Sequence, residues 1–124
     1  QVAYGEGIAR YVNDLGSENL DAAPTSSGDL GAVPVLASAV GYTHQWSKQF
    51  RSTGSFGYVK ADPTASLGQF AIENTTYASI NLVWHPTTSF RMGLEYLYGQ
   101  KDTQGGADGD GHRLDFVFRY DIIR

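Results

Sequence analysis

The 124 residues of the chain include no cysteine, and this absence excludes several kinds of chemistry. Without thiols there is no disulfide framework, no cysteine-ligated zinc site and no cysteine nucleophile. Basic residues are also few, because nine Lys and Arg stand against 13 Asp and Glu and give a formal net charge of −4. Binding to DNA or RNA depends mainly on clustered Lys and Arg, so we expect no nucleic-acid partner.

Long apolar runs and prolines are scarce as well. No stretch approaches the run of about 18 apolar residues that a membrane-spanning helix requires. The chain has four prolines but 15 glycines and eight tyrosines, and the abundance of tyrosine favours strands. The mean hydropathy of −0.30 is typical of a soluble protein. Strands that cross a membrane also alternate apolar and polar side chains and average out to near neutrality, so hydropathy does not separate the two classes.

Alternation of apolar and polar residues is clearest near the end of the chain. From Arg113 to Ile122 the even positions are apolar or aromatic, whereas the odd positions carry four charges. Residues 89–99 repeat the pattern. Three fainter alternating segments and a strand-like stretch over residues 2–12 bring the total to six predicted strands of about 10 to 13 residues. Strands of soluble proteins average about 5 to 6 residues, whereas about ten are needed to cross a bilayer at a tilt.

The predicted connections alternate between long and short. Long connections are predicted over residues 13–32, 62–75 and 100–111, and tight turns over residues 47–49 and 85–88. Long loops are uncommon in compact soluble domains but are typical of the extracellular side of outer-membrane barrels, whose periplasmic turns are short. The pattern predicts an all-β, antiparallel up-and-down transmembrane β-barrel with extracellular long loops and periplasmic short turns, of which these six strands form part of the wall.

Aromatic residues are predicted to face lipid and to form two girdles. In one strand, the eight residues from Phe90 to Tyr98 span roughly 19 Å of depth at about 3.3 Å per residue and a tilt near 45°, which is the separation expected of two girdles. One rim lies at the short turns and the other at the opposite strand ends. The predicted lipid-facing set is Trp46, Phe50, Trp84, Phe90, Tyr96, Tyr98, Phe116, Phe118 and Tyr120.

Charged residues occupy the other parity and are predicted to line a water-filled lumen, because Arg at the lipid midplane costs about 2 to 4 kcal/mol. The predicted pore-lining set is Arg51, Arg91, Glu95, Arg113, Asp115, Arg119 and Asp121. In one interpretation the arginines form a ladder that attracts anionic solutes. In the other, Arg and carboxylate neighbours neutralise one another as part of the wall. The sequence leaves both interpretations open.

No other constellation indicates catalysis or metal binding. The three histidines, His44, His85 and His112, are too dispersed for a metal site. The acidic loop around Asp108 and Asp110 lacks the closing acidic residue of an EF-hand. No nucleophile elbow of the form G-x-S-x-G occurs. We therefore expect a protein that is not an enzyme and that has no metal and no cofactor.

Three stretches carry a family resemblance: QVAYGEGIARYVNDL, GYTHQWSKQFRSTGSFGYV and SINLVWHPTTSFRMGLEYLYGQKDTQGGADGDGHRLDFVFRYDI. They are distributed over nearly the whole length of the chain, and they resemble the last strands of DcaP-like porins of Gram-negative outer membranes. The resemblance implies a homotrimer of barrels with many more than six strands, embedded in outer-membrane lipid and passing small, often anionic, organic solutes. It also implies that these residues are a C-terminal part of the barrel.

The strand count leads to a related expectation on physical grounds. Six strands leave two edges whose N–H and C=O groups hydrocarbon cannot satisfy, so further strands or further copies must complete the wall. The alternative is a soluble or surface-attached, lipocalin-like binding module, in which the aromatic face lines an apolar cavity and the charges point outward. A third alternative is a structural or adhesive role for the long loops.

Overall fold

The chain folds into an antiparallel sheet in a computed structural model that describes residues 1–25, 27–62 and 67–122. A short 3-10 helix spans Ala9–Tyr11. No helix within the described ranges is long and apolar enough to cross a membrane. The strands in these ranges are β1 (Val2–Glu6), β2 (Ala22–Pro24), β3 (Leu30–Ala32), β4 (Pro34–Gln45), β5 (Phe50–Ala61), β6 (Ile72–Trp84), β7 (Phe90–Thr103) and β8 (Asp108–Tyr120).

Six of the strands form one sheet in the order β1-β4-β5-β6-β7-β8, and β2 pairs with β3 in a separate hairpin. Every pair is antiparallel, and from β4 onward each strand pairs with the next one along the chain. Strands β1 and β8 lie at the two edges of the sheet. The predicted all-β, antiparallel, up-and-down architecture is confirmed.

The register gives the sheet two faces of opposite character. Directly opposed residues project to the same side, and the pairing joins even-numbered residues to even-numbered ones, as where Leu94 lies opposite both Leu82 and Phe116. The even side, here called the apolar face, leaves large side chains exposed, including Leu114 at 67% and Phe118 at 69%. The odd side is the polar face. In a water-soluble sheet the apolar side would be covered by a core.

The buried core instead lies on the polar face. Residues 7–33, here called the inner loop, fold over this face at the end of the sheet away from the short turns. They pack there on β4, β5 and the start of β6, and the partly buried Ile8 and Val12 extend the contact. The buried apolar residues of the described chain are Ala9, Leu15, Leu20, Ala23, Val33, Val35, Val59, Ala61 and Ile72.

Hydrogen bonds hold the inner loop in this position. At its base, the Gly7 N–H donates to the Val33 carbonyl at 2.9 Å, and a positive φ of 69° at Gly7 allows the chain to turn there. Within the loop, the Arg10 side chain donates to the Asp21 carboxylate at 2.7 Å. The loop is also tied to the sheet, because the Thr75 hydroxyl donates to the carboxylate of Asp14 at 3.0 Å.

A β-bulge at the start of β6 completes the core. Ile72 pairs with Thr103, but Asn74 pairs with Asp102, so β6 has one extra residue at this point. The extra residue shifts the alternation of side chains in β6 by one position. The even-numbered Ile72 therefore projects to the polar face, as does the odd-numbered Thr103 opposite it. Ile72 is only 2% exposed there, because the inner loop covers it.

Two predicted segments differ from the structure at their strand ends. The strand predicted over residues 2–12 ends at Glu6, because Gly7 turns the chain and a 3-10 helix follows. Within the connection predicted over 62–75, β6 begins already at Ile72; residues 63–66 lie outside the described residues. The long segment 13–32, in which Ser26 also lies outside the described residues, is packed and contains the β2–β3 hairpin.

The connection predicted over residues 100–111 is largely strand. Strands β7 and β8 extend to Thr103 and from Asp108, which leaves residues 104–107 as the turn. The glycines and aspartates of this segment have low strand propensity, but the backbone ladder with the partner strand continues through them. The short turns lie at residues 46–49 and 85–89, and each extends one residue beyond the predicted range.

Truncation of Leu15 tests the packing of the inner loop. Leu15 is 1% exposed, so Leu15→Ala in the full-length protein should lower the free energy of local opening by about 2 to 5 kcal/mol through lost burial and an unfilled cavity. Hydrogen exchange should then accelerate across residues 8–33 and stay unchanged in β7 and β8. The matched control is Leu30→Ala, because Leu30 is 77% exposed. Equal acceleration in both variants would contradict the packing.

The pairing of Arg10 with Asp21 predicts a pH dependence. Hydrogen bonds from the Arg10 side chain and backbone N–H lower the pKa of the Asp21 carboxyl below its ordinary value. This pairing therefore favours the folded loop above the ordinary pKa of a carboxyl, and the contribution is lost as the pH falls through the lowered pKa. Arg10→Met should raise the Asp21 midpoint measured by NMR, whereas Lys48→Met should leave it unchanged. An unchanged midpoint in Arg10→Met would refute the assignment.

Candidate functional site

The polar face gathers all seven charged residues that the sequence predicts to line a pore. Three strands and the segment that follows β8 supply them. Each residue has an odd number, so the register directs all of them to one side. Asp121 follows β8 but continues its pairing, because the Asp121 N–H donates to the Ser89 carbonyl at 2.8 Å. The set comprises Arg51 on β5, Arg91 and Glu95 on β7, Arg113, Asp115 and Arg119 on β8, and Asp121.

A cationic row lies near the short turns. Arg91 is directly opposite Arg119, and like charges in opposed positions repel each other. Asp121 relieves this repulsion, because its carboxylate lies 2.8 Å from Nε of Arg119 and 3.7 Å from a terminal nitrogen of Arg91. One carboxylate thus serves two guanidinium groups, which leaves the row positive.

A polar row crosses five strands farther from the short turns, and hydrogen bonds join its members on four of these strands. It begins with the hydroxyls of Thr43 and Thr53, which lie 2.9 Å apart. The Thr53 N–H donates to the side-chain oxygen of Asn81 at 3.2 Å, and the Asn81 amide donates to Glu95 at 3.5 Å. Glu95 lies directly opposite Asp115, which completes the row with two carboxylates.

Arg113 balances part of this negative charge. Its guanidinium lies 2.9 Å from the carboxylate of Asp115, two residues along the same strand face. The Arg113 side chain is 68% exposed, and ion pairs this exposed contribute about 0 to 1 kcal/mol because water screens them. The guanidinium therefore remains accessible to other anions.

A shallow recess of about 300 Å³ lies between the two rows. Its floor is formed by Gly93 between Val83 and Val117, and the absence of a side chain at Gly93 opens it. Arg51 contributes to the lining and, among the described residues, has no carboxylate within ion-pair distance. The recess therefore offers guanidinium groups on one side, carboxylates on the other and apolar surface between them.

The apolar face carries all nine residues that the sequence predicts to meet lipid, since each has an even number. At the short turns, Phe50 and Trp84 stack with ring centres 5.7 Å apart, and the Trp46 indole N–H donates to Ser52 at 2.8 Å. The register also places Phe90 opposite Tyr120, and Tyr96, Tyr98, Phe116 and Phe118 occupy the same side.

Two histidines share this face with the aromatic residues. The His112 ring lies 2.6 Å from the Tyr96 hydroxyl through Nδ1 and 3.1 Å from the carboxylate of Asp110 through Nε2. His44 packs edge-on against Trp46 with ring centres 4.3 Å apart. No group of three or more metal-binding side chains occurs within the described ranges.

Sequence reasoning missed two features of the polar face. Asn81 and Gly93 occupy odd positions of alternating segments, but only the register shows that Asn81 joins the carboxylates and that both residues line the recess. The inward packing of residues 7–33 was also missed. The available signal was the presence of Leu15, Leu20 and Val33 in a segment otherwise rich in Gly, Ser and Asp.

Comparison with known proteins gives two matches. A family model described as DcaP outer membrane protein matches residues 16–122. The crystal structure of the outer membrane channel DcaP of Acinetobacter baumannii is similar with a TM-score of 0.71 and 26% sequence identity, over 79% of this chain and 29% of that chain. This chain therefore spans less than a third of the length of that channel. No curated protein matches the chain.

Proposed function

Because the chain belongs to the DcaP outer membrane protein family, we propose that its sheet is part of the wall of a channel that passes small hydrophilic, anionic solutes. The family resemblance seen in the sequence and the location in the bacterial outer membrane are confirmed by these matches. The fold class is confirmed as well, since the open six-stranded sheet matches part of an outer-membrane channel.

The opposite character of the two faces carries this proposal. A continuous apolar face, with side chains such as Phe116 and Phe118 well exposed, is unfavourable in water but favourable against acyl chains. The charged polar face needs water or protein, because ionised groups are costly in hydrocarbon. Lipid on the even side and an aqueous lumen on the odd side satisfy both requirements.

The same observation disfavours a lipocalin-like module. Such a module would enclose its apolar face around a ligand and direct its charges to bulk water. Here the buried core forms on the polar face, where Val35, Val59 and Ala61 meet the inner loop. The face left uncovered is the apolar one.

The open edges support a larger barrel. Within the described residues, strands β1 and β8 each have a partner on one side only, and unpaired backbone groups are unfavourable in a bilayer. We propose that further strands pair with both edges, in keeping with the 29% of the matched channel that this chain covers. We also propose that the full-length protein is a homotrimer, as the family resemblance implies. The long connections would be extracellular and the short turns periplasmic, as the loop pattern predicts.

Solute passage would occur by diffusion, without making or breaking a bond. Four arginines and three carboxylates give the pore-lining set a net charge of +1. Arg51 has no ion-pair partner within the described ranges, and the exposed pairs of Arg113 and Arg119 leave their guanidinium groups accessible. This balance favours anions, and Glu95, Asp115 and Asp121 moderate the preference.

Two adjacent positions on β8 test which face meets lipid. Phe116→Arg in the full-length protein should lower the unfolding free energy in lipid by about 2 to 4 kcal/mol, because it places a charge in hydrocarbon. Val117→Arg, on the opposite face of the same strand, should cost much less because the lumen hydrates the charge. Reversible unfolding in vesicles measures both changes. A larger loss for Val117→Arg would reverse the assignment of the faces.

Reversal potentials of single channels test the role of the arginines. Replacing Arg91 and Arg113 together by Gln changes the net charge of the pore-lining set from +1 to −1. We expect the ratio of anion to cation permeability to fall roughly twofold or more at low salt. Lys48→Gln, which removes a charge from a short turn instead, is the matched control and should leave the ratio unchanged. An unaltered ratio in the double variant would favour the interpretation of the ion pairs as wall structure.

A further inference from the structure

The inner loop occupies space on the polar face that would otherwise be open. Five of its residues are buried against the sheet: Ala9, Leu15, Leu20, Ala23 and Val33. None of them is more than 2% exposed. A loop that extended away from the sheet would leave these side chains in water, so burial favours the inward position.

The sheet has an apolar patch on which the inner loop packs. At the end away from the short turns, the polar face is locally apolar, with Val35 opposite Ala61 and Ala37 opposite Val59. The bulge turns Ile72 toward the same place. Farther along, the same face carries Ser, Thr and charged residues. A channel wall exposed only to water on this face would not need apolar residues here. Packing against the inner loop accounts for their presence.

A side-chain hydrogen bond fixes the edge of the loop. Thr75, which is 8% exposed, donates from its hydroxyl to the carboxylate of Asp14 at 3.0 Å. Beside this contact lies a groove of about 520 Å³, whose lining includes Tyr11, Asp14, Gly57 and Tyr77. The Asp14 carboxylate therefore stands at the border between the loop and the open part of the polar face.

The charge of the loop is opposite to that of the pore-lining set. Residues 7–33 contain a single basic residue, Arg10, which is paired with Asp21. Three further carboxylates belong to the loop: Asp14, Glu18 and Asp29. Lys101 lies directly opposite Thr75 at this end of the polar face, so the carboxylates of the loop stand beside one sheet cation there. A solute that travels along the polar face would meet the mainly acidic loop at this end and arginines toward the other.

From these observations we propose that the inner loop is a fixed constriction of the channel and that Asp14 is a determinant of ion selectivity at that constriction. The inference rests on the proposed function, because the loop can constrict a channel only if the polar face surrounds a lumen. It goes further in assigning a permanent inward position to one loop and a specific role to one carboxylate.

Loop replacement in the full-length protein, reconstituted in planar bilayers, tests the constriction. Glu6 lies opposite Pro34, so an Asn-Gly turn can replace residues 7–33 without changing the β1–β4 register. Single-channel conductance should rise about twofold or more, because the narrowest region becomes wider. The matched control replaces residues 104–107 by Asn-Gly, which shortens a turn at the same end of the sheet and should leave conductance unchanged.

The outcomes separate the two proposals. If the unmodified protein forms no channels, the proposed function fails. If it conducts and loop replacement leaves the conductance unchanged, the proposed function stands and the constriction is refuted.

If the protein with the replaced loop does not fold, a disulfide cross-link tests the inward position of the loop instead. The 124 residues have no cysteine, so in a full-length protein whose remaining residues are also free of cysteine, Asp14→Cys combined with Thr75→Cys introduces one defined pair. The pair should oxidise readily in the membrane-embedded protein, and conductance should be the same before and after oxidation because the loop is already inward. Thr75→Cys with Lys48→Cys, at opposite ends of the sheet, should not cross-link. Failure of the first pair to cross-link, or a fall in conductance upon oxidation, would overturn the fixed inward position.

Neutralisation of Asp14 tests its part in selectivity. Asp14→Asn should raise the ratio of anion to cation permeability, because it removes a negative charge beside the constriction. Asp29→Asn, which neutralises an exposed carboxylate on the β2–β3 turn of the same loop, should produce a smaller shift. Equal shifts in both variants, or no shift in either, would overturn the specific role of Asp14.

Discussion

The register of the sheet is the constraint on which the rest of the structure depends. From β4 to β8, apart from the bulge at Ile72, the pairing joins even-numbered residues to even-numbered ones, so one predominantly apolar face and one polar face extend across the sheet. A slip of one residue in any strand would send its charged side chains to the apolar face. In the proposed wall, burial of Phe116 and Phe118 in lipid and hydration of Arg113 and Arg119 would favour the same register.

The location of the core follows from this sidedness. In a water-soluble sheet, apolar side chains leave water by packing under other elements of the same chain, whereas in the proposed channel wall lipid takes that role on the apolar face. The polar face is then free to receive the inner loop, and the apolar patch formed by Val35, Val59, Ala61 and Ile72 gives the loop a place to pack. The bulge at the start of β6 is part of this arrangement, since it moves Ile72 to the side where the loop lies.

Charge is arranged in rows across the strands. Arg91 and Arg119 share one carboxylate, whereas Glu95 and Asp115 lie together in the polar row, so positive and negative regions alternate along the strand direction. The ion pairs link residues two apart on one strand or join neighbouring strands, and their exposure limits their contribution to stability. In the proposed channel, their larger effect is on the electric field that a passing ion experiences, which depends on the position of each charge relative to the others.

Much of the wall could be predicted from the sequence because strand alternation is local: a period of two assigns Leu114, Phe116 and Phe118 to one side and Arg113, Asp115 and Arg119 to the other, whatever strands lie beside them. The ends of the strands could not be predicted in this way. The Gly- and Asp-rich segment 100–111 forms strand because β7 and β8 continue their ladder through it, and β1 ends early because Gly7 turns the chain. The position of the inner loop and the joining of Asn81 to Glu95 were likewise decided by tertiary structure, because both depend on residues that are distant in sequence and meet only when the strands pair.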